Sequence, residues 1–416
     1  MSMKKSNTTR PTVLIVATLD TKNDEAFYLK SAIESMSCNV LVMDAGILSD
    51  PKFKPDITRH EVAEAGGSTI EKLVDSKDKG RCISTMIGGV KTVTKQLHDR
   101  RKFQGIIGIG GAQGTDIGTA AMRVLPFGIP KFMVSTVASG LTTFGPYIGT
   151  KDIIMMHSVA DMQGLNRITK QVLDNAAAAI CGMVKSYVEQ ESATSKKRSV
   201  AMSMLGTTTP GALRAKRILE GKGYEVVAFH QNGTGGIAME DMILEGTFIG
   251  VLDLNLHELA DFVVKGLHGA IRDYRLESAG KLGFPQIVAP GSINYTVQGP
   301  FEQLPDELKK RKYIIHNPNL TLVRLSPQEF IEVAKLTAHK LNMAKGPVYV
   351  YIPLRGFSYP DREGLPHWDP ELNSLFIKTL KENLNDKIPV DELDAHINDK
   401  EFIDPVIDRF LSLINM

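Results

Sequence analysis

The stretch from Gly105 to Gly140 constrains this chain more than any other. Gly105–Ile109 is apolar, long enough for a buried strand and too short for a helix. It ends in Gly110-Gly111-Ala112-Gln113-Gly114-Thr115, and an alanine-rich helical pattern follows over Asp116–Arg123. A second apolar run, Lys131–Val134, ends in Ser135-Thr136-Val137-Ala138-Ser139-Gly140. Two neighbouring strands would thus each end in a loop of small residues and hydroxyls. Glycines let backbone N–H groups approach an anion, and a following helix N-terminus adds unpaired donors and partial positive charge. The loop is not a Walker A sequence, because no Gly-Lys-Ser/Thr follows, and its glycine spacing is not the dinucleotide fingerprint. By themselves these residues fit a phosphate cradle and a tight strand-to-helix turn equally well.

The same alternation runs through the chain. Thr12–Thr18 is a β-branched run suited to a sheet covered on both faces. A loop, Leu19–Asp24, precedes a helix over Glu25–Met36, and Asn39–Met43 is the next strand. Gly80–Arg101 has helical spacing, although Gly88-Gly89 weakens its middle. Ile153–Val159 is strand-like and Leu165–Val188 is a long helix. Gln190–Arg198 lacks large apolar residues and is the best linker candidate. The pattern then restarts: strands at Ser199–Met204, Glu225–Phe229, Gly250–Asp253, Gln286–Ala289 and Pro347–Ile352, an edge strand over Pro389–His396, and helices at Gly211–Glu220, Ile237–Glu245, Pro327–Asn342, Glu371–Leu384 and Lys400–Ile414. This predicts an α/β chain of two Rossmann-like domains, 1–195 for nucleotide and 196–416 for substrate, with mainly parallel sheets. Ligands of such sheets bind at the carboxyl ends of the strands, and two such edges would form a cleft between the domains.

Composition narrows the partners. A net charge of +2 argues against nucleic acid. No apolar run reaches the length of a membrane span. Cys38, Cys82 and Cys181 have no metal-ligand spacing and read as reduced thiols of a cytoplasmic protein.

Several blocks, taken together, carry a family resemblance. They are ValAlaThrLeuAspThrLys at 16–22, GlyIleGlyGlyAlaGlnGlyThr at 108–115, SerThrValAlaSerGly at 135–140 and AspIleIleMetMetHisSerVal at 152–159. PheHisGlnAsnGlyThrGlyGly with MetGlu follows at 229–240, then HisAsnPro at 316–318 and HisIleAsnAsp at 396–399. The chain resembles the Tm-one-like ATP-binding family over nearly its whole length. That family includes the N-terminal part of a plant tobamovirus-resistance protein and bacterial proteins of unassigned activity. The resemblance implies an ATP site in the first domain and a homodimer or higher homo-oligomer. It supplies no reaction. Three blocks of the second domain depart from the family pattern. ProGlyAlaLeuAsp is here Pro290–Asn294, ending in Asn294. AspLeuThrThrThrGluLeu reads AspLeuAsnLeuHisGluLeu at 253–259, and the glycine pair that normally follows is lost near Lys265-Gly266.

The candidate nucleotide residues are Thr18, Asp20, Lys22, Gly110, Gly111, Gln113, Gly114 and Thr115, with Thr136, Ala138, Ser139 and Gly140 from the next strand. Asp20 would hold Mg²⁺ or a ribose hydroxyl, or simply open a surface helix. Asp44, after the second strand, is a weaker ribose candidate. In the second domain His230 and Glu240 form an acid–base pair if they converge. Asn232, Gly233, Thr234, Gly235 and Gly236 make a second anion-friendly loop. Asp253 is placed to accept a substrate hydroxyl, and Arg355 and Ser358 to meet a substrate anion unless Arg355 sits in a surface ion pair. The expected function is a metabolic enzyme using ATP, with Mg²⁺, on a small anionic substrate by phosphoryl transfer or activation. The alternative is a nucleotide-gated interaction module without turnover.

Overall fold

The computed structural model describes residues 10–139, 145–193 and 198–415. The chain divides into two units, Met1–Ser195 and Lys196–Met416. The first is built on β1 (Thr12–Ala17), β2 (Asn39–Asp44), β3 (Gly105–Gly110), β4 (Lys131–Ser135) and β5 (Ile154–His157). They lie in the order β2-β1-β3-β4-β5, all parallel. The two-residue period of a strand divides β1 between two cores. Val13 and Ile15 pack with Leu29, Ile33 and Leu173 from the helices Leu19–Ser35 and Arg167–Ala193. Leu14 and Val16 pack on the other face with Val62, Met86, Val90 and Ile117. Each such side chain, fully buried, contributes about 1.5–3 kcal/mol.

Gly88-Gly89 does not break its helix, which spans Lys79–Asp99. A Cβ on Gly89 would lie 1.9 Å from the Val62 carbonyl oxygen, so the glycine permits the close approach of the helix Arg59–Ala65. The helices at Leu19 and Ala112 start four or more residues earlier than their apolar spacing predicts. The N–H of Leu19 is held by Asp44 at the end of β2 (3.0 Å), a partner that local periodicity does not reveal. The helix Arg167–Ala193 also runs into the predicted linker, and residues 194–197 of that linker lie outside the described residues.

The second unit contains β6 (Ser199–Met204), β7 (Glu225–His230), β8 (Val251–Asp253), β9 (Gln286–Val288), β10 (Tyr295–Gln298), β11 (Tyr313–Asn317), β12 (Leu320–Arg324), β13 (Val348–Pro353) and β14 (Val390–Leu393). Its main sheet has the order β14-β13-β9-β8-β6-β7, again parallel, with β14 at the edge as predicted. The two parallel sheets establish the α/β, Rossmann-like fold. The antiparallel trio β10-β12-β11 was not predicted. β11 is mostly exposed, so the inside–outside alternation that marks a strand is weak there. A helix over His257–Val264 is also absent from the expected elements; its buried face carries His257, Glu258 and Asp261, which mask the apolar periodicity. No described helix is long and apolar enough to cross a membrane.

Candidate functional site

In the first sheet the strand order reverses between β1 and β3: β2 lies to one side of β1 and β3 to the other. Loops leaving two such strands diverge and leave a crevice at their carboxyl ends. A cavity of about 720 Å³ occupies this position. Thr18, Asp20 and Lys22 enter it from β1, and Gly111, Gln113 and Gly114 from β3. Lys77 and Lys79 add two further cations. Much of the remaining lining is apolar: Ile47, Leu48, Leu73, Val74, Ile83 and Ile117. Leu48 is 79% exposed and Val74 49%, high values for large apolar side chains.

The glycines have distinct jobs. A Cβ on Gly110 would lie 2.5 Å from the Gly114 Cα, so this pair lets the helix Ala112–Arg123 sit tightly on β3. Gly111 faces open space, with Thr136 Oγ1 its nearest neighbour at 3.7 Å from an added Cβ. Gly111 is also the helix N-cap and offers no side-chain acceptor, so the first-turn N–H groups are left for another partner. Thr115 is fully buried. Its hydroxyl donates to the Gly111 carbonyl (2.8 Å) and meets Ser135 Oγ (2.6 Å), which gives it a packing role beneath the loop. Thr136, Ala138 and Ser139 are not among the residues lining the cavity. Gly140 lies outside the described residues.

Two carboxylates fix the loops beside the cavity. Asp20 Oδ2 accepts the N–H groups of Ile47 (2.8 Å) and Leu48 (2.9 Å), which fixes the apolar loop after β2. Asp44 Oδ1 accepts those of Leu19 (3.0 Å) and Gly46 (2.8 Å), while Oδ2 is buried without a partner. Burial pushes the Asp44 carboxyl above the usual range, opposed by those N–H groups.

The second-unit loop already holds an anion. Glu258 Oε1 accepts from Gly233 N (2.7 Å) and Gly236 N (3.0 Å). The cradle formed by Gly233 and Gly236 is therefore filled by the protein's own carboxylate. Asn232 caps the same turn, accepting from Thr234 Oγ1 (3.2 Å) and Gly235 N (3.3 Å). Arg275 lies behind, fully buried. It donates to Asp253 (2.6 and 3.0 Å), Glu258 (3.0 Å), Glu240 (3.2 Å) and Gln231 (2.7 Å). Burial opposes its charge, and the carboxylates of Asp253, Glu258 and Glu240 more than compensate.

Glu240 also accepts from Leu276 N and Ser278 N, so its oxygens are committed to Arg275 and the backbone. His230 is exposed, and no hydrogen bond joins it to Glu240 among the described contacts. Asp253 serves Ser203 (2.6 Å) and Arg275. Arg355 forms a bidentate pair with Asp394 (2.7 Å each) on the surface, the role set against its anion-binding one. The Ser358 hydroxyl is buried without a partner.

Three residues escaped the sequence reading. His257 and Asp261 stand one helical turn apart, fully buried, and His268 folds back onto them. Burial and the neighbouring His257 hold the His268 imidazole down to about 4. Burial raises Asp261, but His257, Thr296 and the His268 N–H outweigh it and keep the carboxyl low. The His-x-x-x-Asp spacing was the available signal, hidden because no helix was expected there.

The Uncharacterised protein family (UPF0261) N-terminal domain matches residues 11–189 and its C-terminal domain residues 197–414. A UPF0261 protein of Clostridium tetani is 42% identical over 405 residues, covering 97% of this chain and 98% of that protein. This chain belongs to the UPF0261 family. The ToMV resistance protein Tm-1(GCR237) of Solanum lycopersicum is 35% identical over 435 residues, covering 99% of this chain and 57% of the tomato protein. This chain thus has relatives both in bacteria and in part of a longer plant protein. Among solved structures, the Streptomyces glycosyltransferase SsfS6, complexed with thymidine diphosphate, aligns with 68% of this chain and 82% of its own. Its identity is 12% and its TM-score 0.21, too low to carry an argument.

Proposed function

We propose that the first unit binds ATP in the cavity between the ends of β1 and β3. The observation that carries this reading is the cavity itself. Its lining combines the uncapped first-turn N–H groups of the helix Ala112–Arg123 and the cations Lys22, Lys77 and Lys79 with a set of large apolar side chains. The polar groups suit a polyphosphate and the apolar ones a base. Mg²⁺ fits as a companion to the phosphates, with Asp20 as its protein ligand, because Oδ1 is not engaged by the loop that holds Oδ2. On this reading the protein is an enzyme that uses ATP on a small anionic substrate, and it works as a homodimer or higher homo-oligomer, as the family resemblance implies. The identity with the tomato resistance protein supports a second reading, a nucleotide-gated module that captures a protein partner.

The test is thermal unfolding with and without Mg-ATP, on wild type and Gly111→Val. The substituted Cβ faces open space, so the variant folds and its side chain enters the proposed phosphate space. ATP at about a hundred times its dissociation constant stabilises a two-state fold by about 2.7 kcal/mol. A shift in wild type that is lost in Gly111→Val supports the site. No shift in wild type overturns it. ATP hydrolysis that rises with one member of a panel of small acids favours the enzyme. ATP-dependent capture of a protein partner without hydrolysis favours the module.

A further inference from the structure

We propose that His257, Asp261 and His268 form a binding site for a divalent transition-metal ion in the second unit. The site is independent of the nucleotide reading. Among the described residues, these three each bring one ligand atom to within 4.8 Å of the other two.

The local fold sets the donors. His257 and Asp261 share one face of the helix His257–Val264 at a separation of four residues. The helix ends at Lys265 in the left-handed conformation, and the chain returns through Gly266 and Gly269. A Cβ on Gly266 would lie 2.4 Å from the Asp261 carboxylate, and one on Gly269 2.5 Å from the Asp261 carbonyl oxygen. Only glycine allows so tight a return, and the return delivers His268.

The hydrogen bonds leave two ring nitrogens over. His257 Nδ1 lies 3.2 Å from the Ser292 carbonyl oxygen, which only accepts, so Nδ1 carries the proton. Nε2 is then the ring nitrogen left to meet a cation. That atom is buried without a hydrogen-bond partner and stands 3.4 Å from Asp261 Oδ2, an ion-pair distance. Two lone pairs facing each other at this distance require a proton or a cation between them. His268 Nδ1 is also buried without a partner. A proton on His257 satisfies only the first contact; a metal ion held by one nitrogen of each ring and the carboxylate satisfies all three residues together. Tetrahedral Zn²⁺ with bonds of about 2.0–2.1 Å sets its donors roughly 3.4 Å apart, and the His257–Asp261 separation matches.

The surroundings are those of an oriented ligand set. The Ser292 carbonyl fixes His257, while Val297 N (2.9 Å) and His268 N (2.8 Å) fix the two Asp261 oxygens. Two imidazoles and one carboxylate select Zn²⁺, Fe²⁺, Co²⁺ or Ni²⁺ over Mg²⁺ and Ca²⁺, which prefer oxygen. Three protein ligands leave a position for water or substrate.

The experiment is Co²⁺ titration of the full, untagged, chelator-treated chain, followed by its visible absorption, with Zn²⁺ competition and metal analysis. His257→Gln and His268→Ala are run in parallel, with circular dichroism as a control of folding. The proposal expects one Co²⁺ per chain, a d–d spectrum displaced by Zn²⁺, and at least a tenfold weaker affinity in each folded variant. Absence of a bound equivalent in wild type overturns it, as does a bound equivalent that both variants retain. If a variant fails to fold, the other variant decides. If both fail, the wild-type spectrum decides: ligand-field bands of a nitrogen-rich site support the proposal, and a spectrum of hexa-aqua or all-oxygen Co²⁺ overturns it.

Discussion

Glu258 Oε1 accepts the backbone N–H groups of Gly233 at 2.7 Å and of Gly236 at 3.0 Å. An anion-binding loop thus serves as an internal fastening. It ties the helix Thr234–Leu244 to the helix His257–Val264. Glu258→Ala leaves both N–H groups and Arg275 Nε without this acceptor. The expected loss is about 3 kcal/mol in urea denaturation. Formate or acetate replaces the missing carboxylate and should recover part of that loss in the variant alone. Equal stabilisation of wild type would refute this account.

Asp44 is a buried acid with one oxygen unpartnered. Its folded-state pKa is raised, mainly by burial. A raised carboxyl stabilises the fold below its unfolded value of about 4 and loses that contribution as pH rises through the folded value. Asp44→Asn keeps an acceptor for Leu19 and Gly46 and removes the charge. Its stability should therefore exceed that of wild type at pH 7.5 and converge with it in acid. Denaturant midpoints across pH measure this, and an unchanged pH profile counts against it.

His367 is fully buried. Burial, followed by the Arg324 charge, holds its imidazole down to about 3. The depressed group contributes stability above its unfolded value of about 6.5, and the contribution is lost as pH falls toward the folded value. Between pH 6.5 and 5 the loss from this residue is about 1.6 kcal/mol. His367→Leu should flatten the acid limb of the stability curve by that amount. A limb as steep as that of wild type would show that His367 is not responsible.

Gly88 and Gly89 are adjacent in one helix but respond oppositely to a methyl group. A Cβ at Gly88 meets nothing closer than the Gly66 Cα at 3.8 Å, whereas at Gly89 it would collide with the Val62 carbonyl. Gly88→Ala should stabilise by up to about 1 kcal/mol through helix propensity. Gly89→Ala should destabilise by about 1–3 kcal/mol despite the same gain. Thermal melts of the two variants compare these effects directly, and similar shifts would remove the packing explanation.

The amino-acid sequence by itself determined the parallel sheets and the position of the first glycine loop. Runs such as Thr12–Ala17 and Gly105–Gly110 carry their strand signal in consecutive residues, and the loop at Gly110–Thr115 follows directly. These are local properties, set by side-chain shape and a period of two or 3.6 residues. Tertiary structure alone decided what each loop meets. Nothing near Gly233 announces that Glu258 fills its cradle, and nothing near Leu19 announces Asp44. His268 joins His257 and Asp261 only because the chain reverses tightly at Gly266 and Gly269. The physical reason is common to all three: a buried polar group must find a partner, and the fold decides which distant segment arrives to provide it.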